Sequence, residues 1–303
     1  MMRKRIGFIV NPVAGAGRGQ ARWTRLRDQF RQDGVQEKLL FTSQPGDAVR
    51  FAQALGREFD VVVAVGGDGT LFEVASGLLL SGATNTLLGV VPLGTGNDTA
   101  CLCGINDVEQ ARLALRGESK KTLDVIRIQC QGRGMPLTRH ALLYGGVGIA
   151  GEVAKRTTPW VKRIFGQRLA YPVGALRTIL SYTAQRMRVT CDGQTWENRF
   201  LLVSASNGEL SGGGMRLAPG ARMDDGLLNV NVCETVSRLA AVRLLWQVCR
   251  GRHITHRKVR YLTARTLTVE PDLPLDVEAD GEFVGHTPVH FEVVPRALQV
   301  LIP

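Results

Sequence analysis

The chain has 303 residues, of which 44% are hydrophobic and 21% charged; that is enough material for two domains with good cores and is not the composition of a disordered protein. No apolar run reaches the roughly 18 residues that a membrane-spanning helix needs, and the basic start Met1-Met2-Arg3-Lys4-Arg5, followed only by Ile6 to Val10, does not make a signal peptide. The formal net charge of +11 points to anionic partners rather than basic ones.

In the first part of the chain, strands and helices alternate. Strand Arg5–Val10 precedes a helix over Gln20–Gln32. Strand Lys38–Thr42 precedes a helix over Asp47–Arg57. Strand Asp60–Val65 precedes a helix over Thr70–Leu80. Strand Leu87–Val91 precedes short helices over Asp98–Gly104 and Val108–Arg116. This βαβα rhythm predicts an α/β domain with a doubly wound parallel sheet over residues 1–122.

Beyond Thr122 the rhythm changes. Leu123–Gln129 and Leu137–Val147 read as strands, and Gly151 to Arg188 reads as largely helical, broken at Pro159 and Pro172. Short strand-like runs follow at Val189–Asp192, Phe200–Ser206, Leu227–Cys233, Lys258–Leu262, Leu267–Glu270, Leu275–Ala279 and Val289–Val294. They predict a C-terminal antiparallel β-sandwich domain over residues 123–295. One helix interrupts it over Arg238–Arg250. Its stripe of Leu239, Val242, Leu245, Trp246 and Cys249 is expected to face the core. The last strand, Ala297–Ile302, is compatible with either domain, so residues 296–303 are left open to a return to the first.

The charge is uneven. Neither Val153–Cys191 nor Thr235–Val269 contains an Asp or Glu, yet the two spans hold 16 of the 38 basic residues. Such stretches suit lipid headgroups or a nucleic-acid backbone, although a merely solvated face has the same composition. Cys101, Cys103, Cys130, Cys191, Cys233 and Cys249 match no zinc spacing and read as reduced thiols of a cytoplasmic protein, mostly filling cores. The five histidines form no metal spacing and are read as non-catalytic.

Three of the early strands end alike. Gly66-Gly67-Asp68-Gly69-Thr70 follows Val61 to Val65. Asn11-Pro12-Val13-Ala14-Gly15-Ala16-Gly17 follows Arg5–Val10. Pro92-Leu93-Gly94-Thr95-Gly96-Asn97-Asp98 follows Leu87–Val91. Glycines let backbone N–H groups approach phosphate oxygens, and loops at the carboxyl ends of parallel strands are where ligands bind. No G-x-x-x-x-G-K-[ST] sequence is present, and Gln20 stands where a dinucleotide fingerprint needs its third glycine. On turn chemistry alone, Asp225-Gly226 and Asp280-Gly281 are plain turns, Glu282 a solvated residue and Asp124 a surface or capping residue.

The three loops resemble the signature loops of the diacylglycerol kinase catalytic domain, and the length and two-part layout are similar to its small bacterial YegS/DgkB/BmrU-like members. Downstream, Leu123-Asp124, Ala218-Pro219 with Asp224-Asp225-Gly226-Leu227-Leu228, and Asp280-Gly281-Glu282 resemble that family's acidic, magnesium-binding and catalytic segments. The resemblance implies an ATP site lined by Asn11, Thr42, Gly66, Gly67, Asp68, Gly69, Thr70, Leu71, Phe72, Gly94, Thr95 and Asn97. It implies that Asp68 organises the phosphates and a catalytic Mg²⁺ with Asp124 nearby, and that Glu282 is the general base. Asp225 and the backbone oxygens of Arg222 and Leu227 would hold a second, structural Mg²⁺.

These readings converge on an ATP- and Mg²⁺-dependent lipid kinase acting on a hydroxyl of a membrane lipid such as diacylglycerol or phosphatidylglycerol. It would be cytoplasmic, in peripheral contact with an anionic membrane surface and without a nucleic-acid partner; a homodimer stays open. The alternatives are an NAD kinase-like enzyme with a soluble substrate, or a non-catalytic regulator that keeps the kinase fold.

Overall fold

Runs of β-branched residues bounded by polar turns make the centre of the first unit. In the computed structural model, which describes residues 4–132, 134–156, 176, 178–179 and 181–303, the chain divides into Met1–Leu123 with Arg296–Pro303, and Asp124–Pro295.

In the first unit β1 (Arg5–Val10), β2 (Gln36–Phe41), β3 (Val61–Gly66) and β4 (Leu87–Pro92) form a parallel sheet in the order β4-β3-β1-β2. The end of the chain adds to it, with Val300 paired parallel to Leu88. Every residue of β3 is buried, as expected of a central parallel strand. Each of its fully buried valines contributes about 1.5–3 kcal/mol relative to exposure.

The helices here are α1 (Ala14–Gly17, one kinked turn), α2 (Gly19–Phe30), α3 (Asp47–Leu55), α4 (Asp68–Ser81), α5 (Asp98–Leu102) and α6 (Val108–Arg116). Trp23 of α2 packs on Phe8 and Phe30, with ring centroids 5.3 and 5.6 Å away.

The second unit is antiparallel. Its strands include β6 (Pro136–Ala141), β7 (Tyr144–Gly148), β8 (Gln185–Cys191), β9 (Gln194–Ser206), β12 (Leu228–Glu234), β13 (Val259–Ala264), β14 (Thr266–Pro271), β15 (Asp276–Ala279) and the start of β16 (Glu282–Leu301). The small ladder β10 (Leu210–Ser211) with β11 (Met215–Arg216) stands apart from them, and β5 (Lys120–Gln131) enters from the first unit. Two long strands serve two ladders each. The first half of β9 pairs with β8, and its second half with β7 and β12. Likewise β16 pairs with β15 over its first residues and with β14 farther on. This exchange folds the strands into a sandwich around Phe200, Val203, Leu267, Val269, Val277 and Phe291, all buried.

Four expectations change. The single strand read over Leu137–Val147 is two, because the N–H groups of Leu142, Leu143 and Tyr144 turn to the Asp280 carboxylate instead of a neighbouring strand. The polar half of β9 and the first residues of β16 are strand that periodicity did not show. Helix α7 (Ile149–Arg156) covers the start of the helical reading over Gly151–Arg188; most of the remainder, with Pro159 and Pro172, lies outside the described residues.

The fourth change concerns α8 (Arg238–Val248), capped by Ser237, whose hydroxyl accepts from the Ala240 N–H. Its buried row is Ala241 and Leu244, and Leu245 packs with Ile149 and Met215 on Val153. Leu239, Trp246 and Cys249 are exposed, so the stripe read as core is split between two faces. Four of the six cysteines are buried, and all six are free. Among the described residues no helix is long and apolar enough to cross a membrane.

Candidate active site

In the first unit the three glycine-bearing loops meet at the carboxyl ends of β1, β3 and β4. The Asn11 side-chain amide donates to the Thr70 hydroxyl at 3.0 Å, and the Asn11 N–H to the Val65 carbonyl at 3.0 Å. The N–H groups of Leu93 and Gly94 both donate to the Gly66 carbonyl, at 2.7 and 3.0 Å. Gly94 lies against Gly67 so closely that a Cβ on Gly94 would sit 2.4 Å from the Gly67 Cα. A Cβ on Gly66 would meet the Thr70 hydroxyl oxygen at 2.4 Å. Glycine is therefore required at both positions by close approach.

Asp68, in the first turn of α4, holds the third loop. Its carboxylate accepts from the N–H of Asn97 at 2.7 Å and of Thr99 at 3.3 Å. Asn97, at a left-handed φ of 60°, donates its side-chain amide to the Gly94 carbonyl at 3.0 Å. Thr42 follows β2 and donates its N–H to the Val10 carbonyl at 2.9 Å. Thr70 and Leu71 are buried, Phe72 is half-buried, and Gly69 and Thr95 are exposed. The loops thus present main-chain amides, exposed glycine and hydroxyls beside the N-terminus of a helix, which suits phosphate oxygens.

In the second unit, Asp124 is buried. Its carboxylate accepts from the Gly226 N–H at 2.7 Å, and its own N–H donates to the Met223 carbonyl at 2.7 Å. The loop around Arg222, Asp225 and Leu227 is fastened to Asp124 in this way. Asp225 is exposed and accepts from the Leu227 N–H at 3.0 Å. No group of three or more His, Cys, Asp or Glu suited to a metal occurs among the described residues. A metal at this loop would therefore have at most two such side chains and would depend on backbone carbonyls and water for the rest, the hard oxygen set that Mg²⁺ accepts.

Asp280 and Gly281, at φ 47° and 83°, make the two-residue turn between β15 and β16, and Glu282 follows it, exposed. The Asp280 carboxylate accepts from Leu142, Leu143 and Tyr144 at 2.7, 2.9 and 3.0 Å. Burial pushes its carboxyl up to about 6 in spite of those three donors.

Two residues that sequence reasoning missed complete the arrangement. Glu278, buried on β15, accepts from the Tyr144 hydroxyl at 3.1 Å. Burial, with the charges of Asp280 and Glu282 adding to it, raises its pKa well above the usual carboxylate range. Asn207, fully buried, donates to the carbonyls of Asp124 at 2.8 Å and Leu142 at 2.9 Å. Gly226, Asp124, Asn207, Leu142 and Asp280 are thus linked in one hydrogen-bonded path from the Asp225 loop to the Glu282 turn. The alternation Glu278-x-Asp280-x-Glu282 was a readable signal for the first; nothing local marks Asn207.

Comparison with known proteins gives two family matches. Residues 5–128 match the diacylglycerol kinase catalytic domain, and residues 143–302 the YegS C-terminal NAD kinase beta sandwich-like domain. A diacylglycerol kinase of Bacillus subtilis (strain 168) is 27% identical, covering 99% of this chain and 97% of its own. One of Staphylococcus aureus (strain MRSA252) is 28% identical over 100% and 93%. A crystal structure from Bacillus anthracis str. Sterne, assigned to the diacylglycerol kinases, superposes with a TM-score of 0.81 at 26% identity, over 99% and 95% of the two chains.

Proposed function

The chain belongs to the diacylglycerol kinase family and is a lipid kinase; on that premise we propose that it transfers the γ-phosphate of ATP to a hydroxyl of a membrane lipid such as diacylglycerol or phosphatidylglycerol. The observation that carries this reading is the pair of constellations, one in each unit: a three-loop phosphate cradle around Asp68, and an exposed carboxylate, Glu282, on a turn fixed by Asp280.

Phosphoryl transfer asks a protein for positioning and charge compensation rather than covalent chemistry. The amides and hydroxyls of the three loops bind the triphosphate. Asp68 works through the loop, since its carboxylate fixes the Asn97 and Thr99 amides and with them the path of Gly94 to Asn97. Glu282 takes the proton of the lipid hydroxyl as that oxygen bonds to the γ-phosphorus, and the bond from the γ-phosphorus to the β–γ bridging oxygen breaks to leave ADP. Mg²⁺ bound near Asp68 would supply compensation for the phosphate charge; Asp225 with backbone oxygens of Arg222 and Leu227 would hold a second, structural ion. Asp124 keeps that loop in place through Gly226.

The enzyme would be cytoplasmic and meet the bilayer only at its surface, without a nucleic-acid partner. The test is transfer from γ-labelled ATP, with Mg²⁺, into a total bacterial lipid extract, comparing the wild type with Glu282→Ala. A labelled lipid that the variant fails to form, by a factor of about 10² to 10⁴, supports the reading, and its mobility identifies the acceptor. A wild type that labels NAD and no lipid, or nothing at all while binding ATP, would replace it with the soluble-substrate or regulator alternative.

A further inference from the structure

Helix α8 of the second unit has two unlike faces. One is the packed row of Ala241, Leu244 and Leu245. On the other, Leu239 is 82% exposed and Trp246 65% exposed. They are seven residues apart, two helical turns, and so lie on one side of the helix. Arg243 falls between them. Arg250, just past the last turn, places its guanidinium carbon 3.4 Å from the centroid of the Trp246 ring.

We propose that this face of α8 is the membrane-docking surface of the enzyme, seated on a bilayer that carries anionic headgroups. The inference rests on the lipid-kinase reading and deepens it by naming the contact. Leu239 and Trp246 enter the boundary between headgroups and acyl chains, where an aromatic ring with a wet edge is well placed. Arg238, Arg243, Arg250 and Arg252 meet the phosphates.

Charge complementarity decides the occupant. From Thr235 to Val269 the sequence holds eight basic residues and no acidic one. The nearest carboxylate before that span, Glu234, is bound to Lys258 at 2.6 Å and lies 3.7 Å from Arg260. A second copy of the chain, docked through the same patch, would set arginines against arginines. A nucleic acid would match the charge but leave Leu239 without a function. An anionic bilayer satisfies both halves of the face at once.

The experiment uses the full-length protein and sucrose-loaded vesicles, either of phosphatidylcholine alone or of equal parts phosphatidylcholine and phosphatidylglycerol. Binding to the mixed vesicles should weaken about fivefold for each of Arg243→Gln and Arg250→Gln, and tenfold or more for Leu239→Ser with Trp246→Ser. Brominated acyl chains should quench the wild type, and Trp246→Phe should bind nearly as well with that quenching lost. Phosphorylation of lipid dispersed in detergent micelles should stay at the wild-type level in every variant, which also shows that they are folded.

Wild-type binding that survives all these substitutions overturns the proposal while leaving the kinase reading intact. So does a dimer that Trp246→Ser converts to a monomer. Micellar lipid left unphosphorylated by the wild type would instead remove the premise.

Discussion

Glu278→Gln isolates what burial does to an acid close in sequence to the proposed base. Glu278 is 1% exposed, and the Tyr144 hydroxyl donates to its carboxyl at 3.1 Å. Burial raises its pKa well above 4.5, with Asp280 and Glu282 adding like-charge repulsion. An acid whose folded pKa exceeds its unfolded value binds its proton more tightly when folded. The native state is then most favoured below the unfolded value and loses stability as pH rises toward the folded one, by up to about 1.4 kcal/mol per pH unit. Glutamine does not titrate and can still accept from Tyr144. Relative to wild type, Glu278→Gln should therefore gain stability steadily as pH rises from about 4.5, with slopes bounded by that figure. Glu278→Ala should instead lose about 1–3 kcal/mol through the lost hydrogen bond from Tyr144 and the space opened at a buried position. Urea denaturation of both variants across the pH range measures this. A glutamine variant that falls further behind wild type with rising pH would refute the reasoning, since Glu278 would then be an ionised, well-partnered carboxylate. Lipid phosphorylation by Glu278→Gln should stay within a few-fold of wild type if the proton acceptor is Glu282, as proposed.

The other outcomes follow from close contacts. Gly94→Ala places a methyl 2.4 Å from the Gly67 Cα; both loops must part, and ATP binding by calorimetry should weaken tenfold or more while the sandwich unit is untouched. Asp124→Ala leaves the Gly226 N–H without its 2.7 Å acceptor. It should cost about 1.5–3 kcal/mol and raise the Mg²⁺ concentration needed for half-maximal activity. Asp225→Ala should reproduce the Mg²⁺ effect with less than about 1 kcal/mol of destabilisation, because the residue is exposed; equal destabilisation by the two would argue against the different roles given to them.

How much of this was legible depends on how local its cause is. The parallel sheet was readable because Val61 to Val65 and its counterparts carry their burial in their own composition, and the glycine loops because each is a contiguous run. The division of Leu137–Val147 into two strands was not, since its cause, the Asp280 carboxylate, lies about 140 residues away in sequence. Asn207 is a similar case: what gives it meaning is a pair of carbonyls, at Asp124 and Leu142, that local sequence cannot bring together. Helix α8 shows the limit of periodicity itself. Leu239, Leu245 and Trp246 satisfy a helical stripe, but so does the row of Ala241, Leu244 and Leu245. The choice between them is made by Val153, Ile149 and Met215, which receive Leu245. A stripe with more apolar residues than the core can receive leaves a remainder outside. Here the remainder is a leucine and a tryptophan among arginines, in a lipid kinase whose proposed substrate lies in a membrane.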